Sequence, residues 1–178
     1  MGTDSRTVRR TILMHALDVG RKAPDLQLKS LEGKPFSLRE TLDRGPIVLV
    51  FFKVSCPTCQ YALPFYERLF RSYKNQRVTL VGVSQNNADE TAAFAKEFGI
   101  SFPLLLDDAI TYPVSNAYGL TNVPTVFWIG TDGSIDMNSV GWAKPDFEEI
   151  NRRMAEATAI AAAPMFQPGE EVRDYRAG

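Results

Sequence analysis

Six apolar residues in unbroken succession, Ile47-Val48-Leu49-Val50-Phe51-Phe52, leave this chain few ways to fold. A strand that is apolar on both pleated faces needs cover on both, which points to the centre of a layered α/β sheet. Four residues on stand Cys56-Pro57-Thr58-Cys59, the only cysteines among 178 residues. After them Leu63, Tyr66, Leu69 and Phe70 recur at helical spacing. The pair therefore falls where a strand gives way to a helix, about one turn apart, and can close a disulfide or pass one to a partner. The free N–H groups and positive dipole end of such a helix favour a thiolate at Cys56. Pro57 suits the first helical position, where no amide hydrogen is needed. Thr58 offers a hydroxyl and little bulk. Cys59, one turn inside, is expected to be the more buried, resolving thiol. Lys53 is expected to add positive charge if it curls over the site.

The rest of the chain alternates strand and helix. Residues 23–29 alternate apolar and polar side chains, Gly33 marks a turn and Phe36-Ser37-Leu38 answers as a second short strand. Residues 78–83 read as another buried strand, 89–98 as an amphipathic helix closed by Gly99, and 102–106 as a short strand. Residues 113–118 are expected to be helical. Residues 125–129 and 134–140 form a hairpin across Thr131-Asp132-Gly133, and 145–163 a closing helix with acids in its first turn. Pro64 is expected to kink the helix that follows the cysteines. Residues 1–19 read as a flexible lead-in, 20–163 as one α/β domain, and 164–178, with Pro, Gly and charge but no periodicity, as an extended or mobile tail. Parallel strands are expected in the middle of the sheet and an antiparallel hairpin at one edge.

Composition removes several function classes. Twenty lysines and arginines against 21 acids leave a net charge of −1, with no basic stripe for nucleic acid. No apolar run reaches the length of a membrane span. Arg9-Arg10 before Thr11-Ile12-Leu13-Met14 has the charge order of a secretion signal, yet His15 and Asp18 interrupt the run and no small-residue cleavage site precedes Gly20. The expected location is therefore cytoplasmic, or periplasmic if a leader has been removed. In a reducing compartment a lone CxxC is more often catalytic than structural. Zinc wants four ligands, and beyond the cysteine pair the sequence offers only His15, so neither metal nor organic cofactor is expected. Two core cysteines that lie together by accident remain the plain alternative.

The order of elements resembles the thioredoxin superfamily, and three features carry the likeness. They are the strand-CxxC-helix, Pro64 five residues past Cys59, and Val123-Pro124-Thr125 before the strand at 126–129. The last resembles the family's cis-proline loop, which lies opposite the disulfide and pairs with substrate backbone; Gly141 after the last strand also fits. The resemblance implies a cis Val123-Pro124 bond, a central mixed sheet flanked by helices, and an N-terminal β-hairpin. Within the superfamily the chain is most similar to the TlpA and ResA thiol-disulfide oxidoreductases and the AhpC/TSA redoxins. Gly20-Arg21-Lys22-Ala23-Pro24-Asp25-Leu26 looks like that group's opening, and residues 88–120 like its inserted strand-helix unit.

Departures qualify the likeness. Ser55 stands where thioredoxins carry tryptophan, Val50 where they bury an aspartate, and Ala62 where the ResA type places a glutamate, so no base for Cys59 is evident. The function implied is thiol-disulfide exchange with a disulfide-bearing protein, sustained by a partner reductase. Cys56 and Cys59 would be catalytic, and Pro57, Thr58, Val123, Pro124 and Thr125 would bind substrate. Phe52 and Trp142 are candidates for the docking surface or for the core. Two alternatives stay open. A peroxiredoxin-like peroxidase is disfavoured because Lys53 occupies the upstream threonine position and no arginine lies between Arg77 and Arg152. A binding module without redox chemistry sits poorly with an intact CxxC.

Overall fold

The computed structural model describes residues 16–74 and 77–178. Along the chain run β1 (Gln27–Ser30), β2 (Pro35–Ser37), α1 (Leu38–Leu42), β3 (Ile47–Phe52), α2 (Pro57–Ser72), β4 (Thr79–Ser84) and α3 (Ala88–Phe98). They are followed by β5 (Leu104–Leu106), α4 (Pro113–Ala117), β6 (Thr125–Ile129), β7 (Ile135–Val140), β8 (Trp142–Ala143), α5 (Lys144–Thr158) and β9 (Tyr175–Arg176). Seven strands form one sheet in the order β2-β1-β5-β4-β3-β6-β7. The pairs β3–β4 and β4–β5 are parallel, whereas β6 runs antiparallel to β3 and β7 antiparallel to β6. The N-terminal hairpin occupies one edge and the β6–β7 hairpin the other, as expected of a mixed sheet.

The apolar run explains the layering. Every residue of β3 is buried, and successive side chains go to opposite faces. Val48, Val50 and Phe52 enter one core with Leu63, Tyr66 and Leu69 of α2 and Phe147, Ile150 and Met154 of α5. Ile47, Leu49 and Phe51 enter a second core with Tyr118, Phe127 and Ile135. Both Phe52 and Trp142 are core residues, 0% and 1% exposed, so neither contributes to a docking surface. Their apolar bulk is spent on packing: Trp142 stacks on Phe65 at 4.8 Å between ring centroids and lies 5.2 Å from Phe147.

Helix boundaries follow local chemistry. Asn87 caps α3, its side chain accepting from the Glu90 N–H, and Gly99 ends it in the left-handed conformation. α2 continues across Pro64 as a single helix. α5 stops at Thr158, short of the expected residue 163, with Ala159 left-handed at its C-cap.

Both ends of the described chain are more firmly held than expected. Ala16 is buried in the second core and the Leu17 N–H donates to the Tyr118 carbonyl, so ordered structure begins before residue 20. The Arg9-Arg10 and His15 readings fall on residues 1–15, outside the described residues. Residues 164–178 are largely without helix or strand and are fastened to the domain. Met165 is buried, Phe166 packs against Phe65 and Phe147, and Glu170 takes both guanidinium arms of Arg68 at 2.8 and 2.6 Å. The Trp142 indole donates to the Arg173 carbonyl at 2.6 Å, and β9 then pairs antiparallel with β8.

Candidate active site

β3 ends at Phe52, and a tight turn hands the chain to α2. The turn is closed by the Cys56 N–H donating to the Lys53 carbonyl at 3.2 Å. It is braced by two side chains: Gln60 donates to the Val54 carbonyl, and Asn86 accepts from the Val54 N–H. This leaves Cys56 at the N-cap of α2 with Pro57 in its first turn. The Cys59 N–H donates to the Cys56 sulfur at 3.2 Å. A cap position normally filled by Ser, Thr, Asp or Asn is thus filled by a thiol, and an anionic sulfur satisfies it better than a neutral one.

The two sulfurs are free thiols in contrasting settings. Cys56 is half-buried and its pKa is lowered to about 6. The largest cause is the Cys59 thiol hydrogen-bonding to the Cys56 thiolate; the N–H groups of Cys59 and Thr58 and the positive charge of Arg176 add to it, while partial burial opposes them. Cys59 is 0% exposed, and burial pushes its thiol far up. Its hydrogen bond to Cys56, and the Cys56 charge, push the same way. The cation that contributes to lowering Cys56 is Arg176, carried in by β9, and not the expected Lys53.

Opposite the helix start, the Val123-Pro124 bond is cis, as the loop's resemblance implied. The Val123 carbonyl lies 3.3 Å from the Cys56 sulfur and accepts from it when the thiol is protonated. Pro124 is buried, and Thr125 is fully buried with its hydroxyl donating to the Asn122 carbonyl at 2.7 Å. Thr125 therefore shapes the loop from within. Of the expected binding residues, Pro57 is exposed and Val123 half-buried, while Thr58 is buried with its hydroxyl donating to the Ala177 carbonyl at 2.6 Å. The structure thus gathers Cys56, Cys59, Pro57, Thr58, Val123 and Pro124 at one end of the sheet.

Sequence reasoning missed Arg176, Ala177, Gly178 and Asn122. The Asn122 side chain donates to the Gly178 carbonyl at 3.2 Å, and the Gly178 backbone lies against the Val123 carbonyl. The available signal was Met165-Phe166, two adjacent large apolar residues in a tail otherwise rich in proline, glycine and charge. Among the described residues no carboxylate figures among the groups that shift Cys59, and the buried Glu67 is committed to Arg71, Ser101 and the Phe102 N–H. No group of three or more metal-ligating side chains occurs among the described residues, and none of their helices is long and apolar enough to cross a membrane.

Comparison with known proteins agrees with this geometry. The "Thiol-disulfide oxidoreductase ResA" of Halalkalibacterium halodurans is 34% identical over 117 residues, 65% of this chain and 65% of that protein. The protein of the same description from Geobacillus thermodenitrificans is 32% identical over 121 residues, 67% of this chain and 68% of its own. The fold is shared by the thioredoxin domain of a thiol-disulfide oxidoreductase from Bacteroides vulgatus, with a TM-score of 0.69 at 17% identity, covering 78% of this chain and 99% of that one. The model of the AhpC/TSA family matches residues 19–137, from the opening segment through the cysteine pair and the cis-proline loop into β7. Over more than half its length, and with the dithiol inside the matched part, the chain belongs to the AhpC/TSA family.

Proposed function

We infer that the protein is a thiol-disulfide oxidoreductase whose Cys56–Cys59 pair exchanges two electrons with disulfides of protein substrates. The observation that carries this reading is the opposite perturbation of two thiols one turn apart: an accessible one held as thiolate, a buried one held as thiol. In the reducing direction the Cys56 thiolate attacks one sulfur of the substrate disulfide. That S–S bond breaks, a mixed disulfide forms, and the leaving thiolate takes a proton from water. Forming the mixed disulfide removes the Cys56 charge and its demand on the Cys59 hydrogen, two of the causes that keep Cys59 protonated. Cys59 then loses its proton to solvent and attacks the Cys56 sulfur. The substrate leaves as a dithiol and the enzyme as a disulfide, which a partner reductase returns to the dithiol with two electrons. The same atoms run in reverse for oxidation. Stabilising the Cys56 thiolate stabilises the reduced form and so makes the couple more oxidising than an unperturbed dithiol.

In this reading substrate backbone lies along the cis-proline loop, where the Val123 carbonyl faces Cys56. A reducing cytoplasm is the compartment that suits a dithiol regenerated by a reductase, and fractionation of native cells tests that part. The central experiment is reduction of insulin disulfides, combined with a redox titration of the Cys56/Cys59 couple. A pair that cycles and reduces insulin supports the reading; a pair that cannot be oxidised to an intramolecular disulfide overturns it in favour of a binding module.

A further inference from the structure

The tail reaches the same loop that the proposed substrate would use. It is held unevenly. Residues 165–173 are fastened by buried Met165, the aromatic contacts of Phe166, the Arg68–Glu170 pair, and the Trp142 and Tyr61 side chains on the backbone of Arg173. Arg176 then pairs with Trp142 across the β8–β9 ladder, its guanidinium 5.7 Å from the Tyr61 ring. Ala177 and Gly178 are different: both are exposed, and the side-chain bonds to them are one from Thr58 and one from Asn122. A Cβ on Gly141 would lie 2.6 Å from the Arg176 carbonyl and 3.1 Å from the Gly178 nitrogen, so the tail passes directly over the loop that follows β7. At its far end Gly178 packs on the Val123 carbonyl, the acceptor that also faces Cys56.

We propose that Ala177 and Gly178 are a built-in occupant of the substrate seat, and that they determine which disulfides reach Cys56. The proposal rests on the oxidoreductase reading above and on its placement of substrate along Val123. An extended polypeptide carrying a disulfide needs the Val123 backbone, which Gly178 covers while the Thr58 hydroxyl holds Ala177, and must displace Ala177 and Gly178 first. A small disulfide needs only a path to the half-buried Cys56 sulfur and leaves the tail in place. Arg176, anchored one residue earlier, stays beside the thiolate in either case. The selectivity lies in access: the occupied seat lowers the apparent affinity for peptide-borne disulfides by the fraction of time that the seat is free.

The test compares the intact chain with a chain stopped after Arg176 and, separately, with Asn122→Ala, using insulin and 2-hydroxyethyl disulfide as substrates. Both variants keep the aromatic and ionic anchors, and a thermal melt checks that they fold as the parent does. The expected result is a rise in kcat/KM toward insulin on the order of fivefold for Asn122→Ala, the worth of about one net hydrogen bond, and a larger rise for the chain stopped after Arg176, which loses two such bonds, with the rate on 2-hydroxyethyl disulfide unchanged in both and the Cys56 alkylation midpoint unchanged in Asn122→Ala. Equal changes on both substrates, or no change on insulin, would overturn the proposal. If the intact chain exchanges neither disulfide, the oxidoreductase reading itself falls, a result separate from an active enzyme indifferent to its tail.

Discussion

Cys56 and Cys59 sit on the same helix, one turn apart, and the structure treats their sulfurs in opposite ways. Cys56 occupies the mouth of the site, where α2 presents N–H groups without helical partners and Arg176 adds a positive charge from the tail. Cys59 occupies the floor, sealed among core side chains that include Val50, Leu63 and Tyr66. Two residues of sequence, Pro57 and Thr58, separate a setting that favours a negative charge from one that forbids it. The lesson is that reactivity here comes from position along the helix: the dipole and the free amides act only within the first turn, and burial takes over beyond it.

Removing one sulfur at a time should break the symmetry most visibly. Cys56→Ser should abolish insulin reduction, because no other thiol is both accessible and ionised. Cys59→Ser should keep the first attack and lose the second, so that substrate accumulates on Cys56 as a mixed disulfide visible on a non-reducing gel or by mass spectrometry. Accumulation on Cys59 in the Cys56→Ser protein instead would invert the assignment of mouth and floor.

The pH dependence should separate the two next. Alkylation of Cys56 by iodoacetamide should rise about tenfold per pH unit below a midpoint near 6 and level off above it, while Cys59 reacts slowly across the range. The lowered folded-state pKa also fixes the sign of a stability effect. The unfolded thiol titrates at about 8.5, so the thiolate's contribution is complete above that value and is lost as pH falls through 6. Reduced protein should therefore gain stability over Cys56→Ser between about pH 6 and 8.5, measured by denaturant melts at several pH values.

The floor answers to packing. Leu63, fully buried one turn past Cys59, faces the same core. Leu63→Ala should cost about 2–5 kcal/mol and lower Tm by roughly 10 °C in a chain of this size, while the Cys56 titration stays where it was. A mouth that shifted with it would mean that the helix start depends on the core more than the capping geometry implies.

What could be read from sequence follows the same division. The apolar run of β3, the cysteine spacing, and the Val123-Pro124 loop each carry a local signal: unbroken hydrophobicity, chemistry at a fixed offset, and a proline before a strand. Their places in the fold are as expected, down to the cis bond. The tail carried no such signal. A two-residue strand has no measurable period, and its docking depends on an indole, a phenol and an arginine that lie 31 to 112 positions away in sequence. Lys53 looked like the cation of the site because it is near in sequence; Arg176 holds that place because β9 brings it there. Phe52 and Trp142 were ambiguous for a related reason, since apolar residues beside a motif serve the core and a docking surface equally well until the packing is seen.

Arg176 offers the smallest effect and the finest test of how the mouth is built. Its charge is the last-ranked of the causes lowering Cys56, after the Cys59 thiol and the two backbone N–H groups. Arg176→Gln should therefore raise the alkylation midpoint by only a fraction of a pH unit, with the thermal melt unchanged because the side chain is partly exposed. The increment should shrink further as salt is added, since screening at physiological ionic strength acts over about 8 Å. The capping contribution, made by N–H groups in direct contact with the sulfur, should not respond to salt. A midpoint that climbs back to the ordinary thiol range in Arg176→Gln would show that the tail, and not the helix start, ionises Cys56.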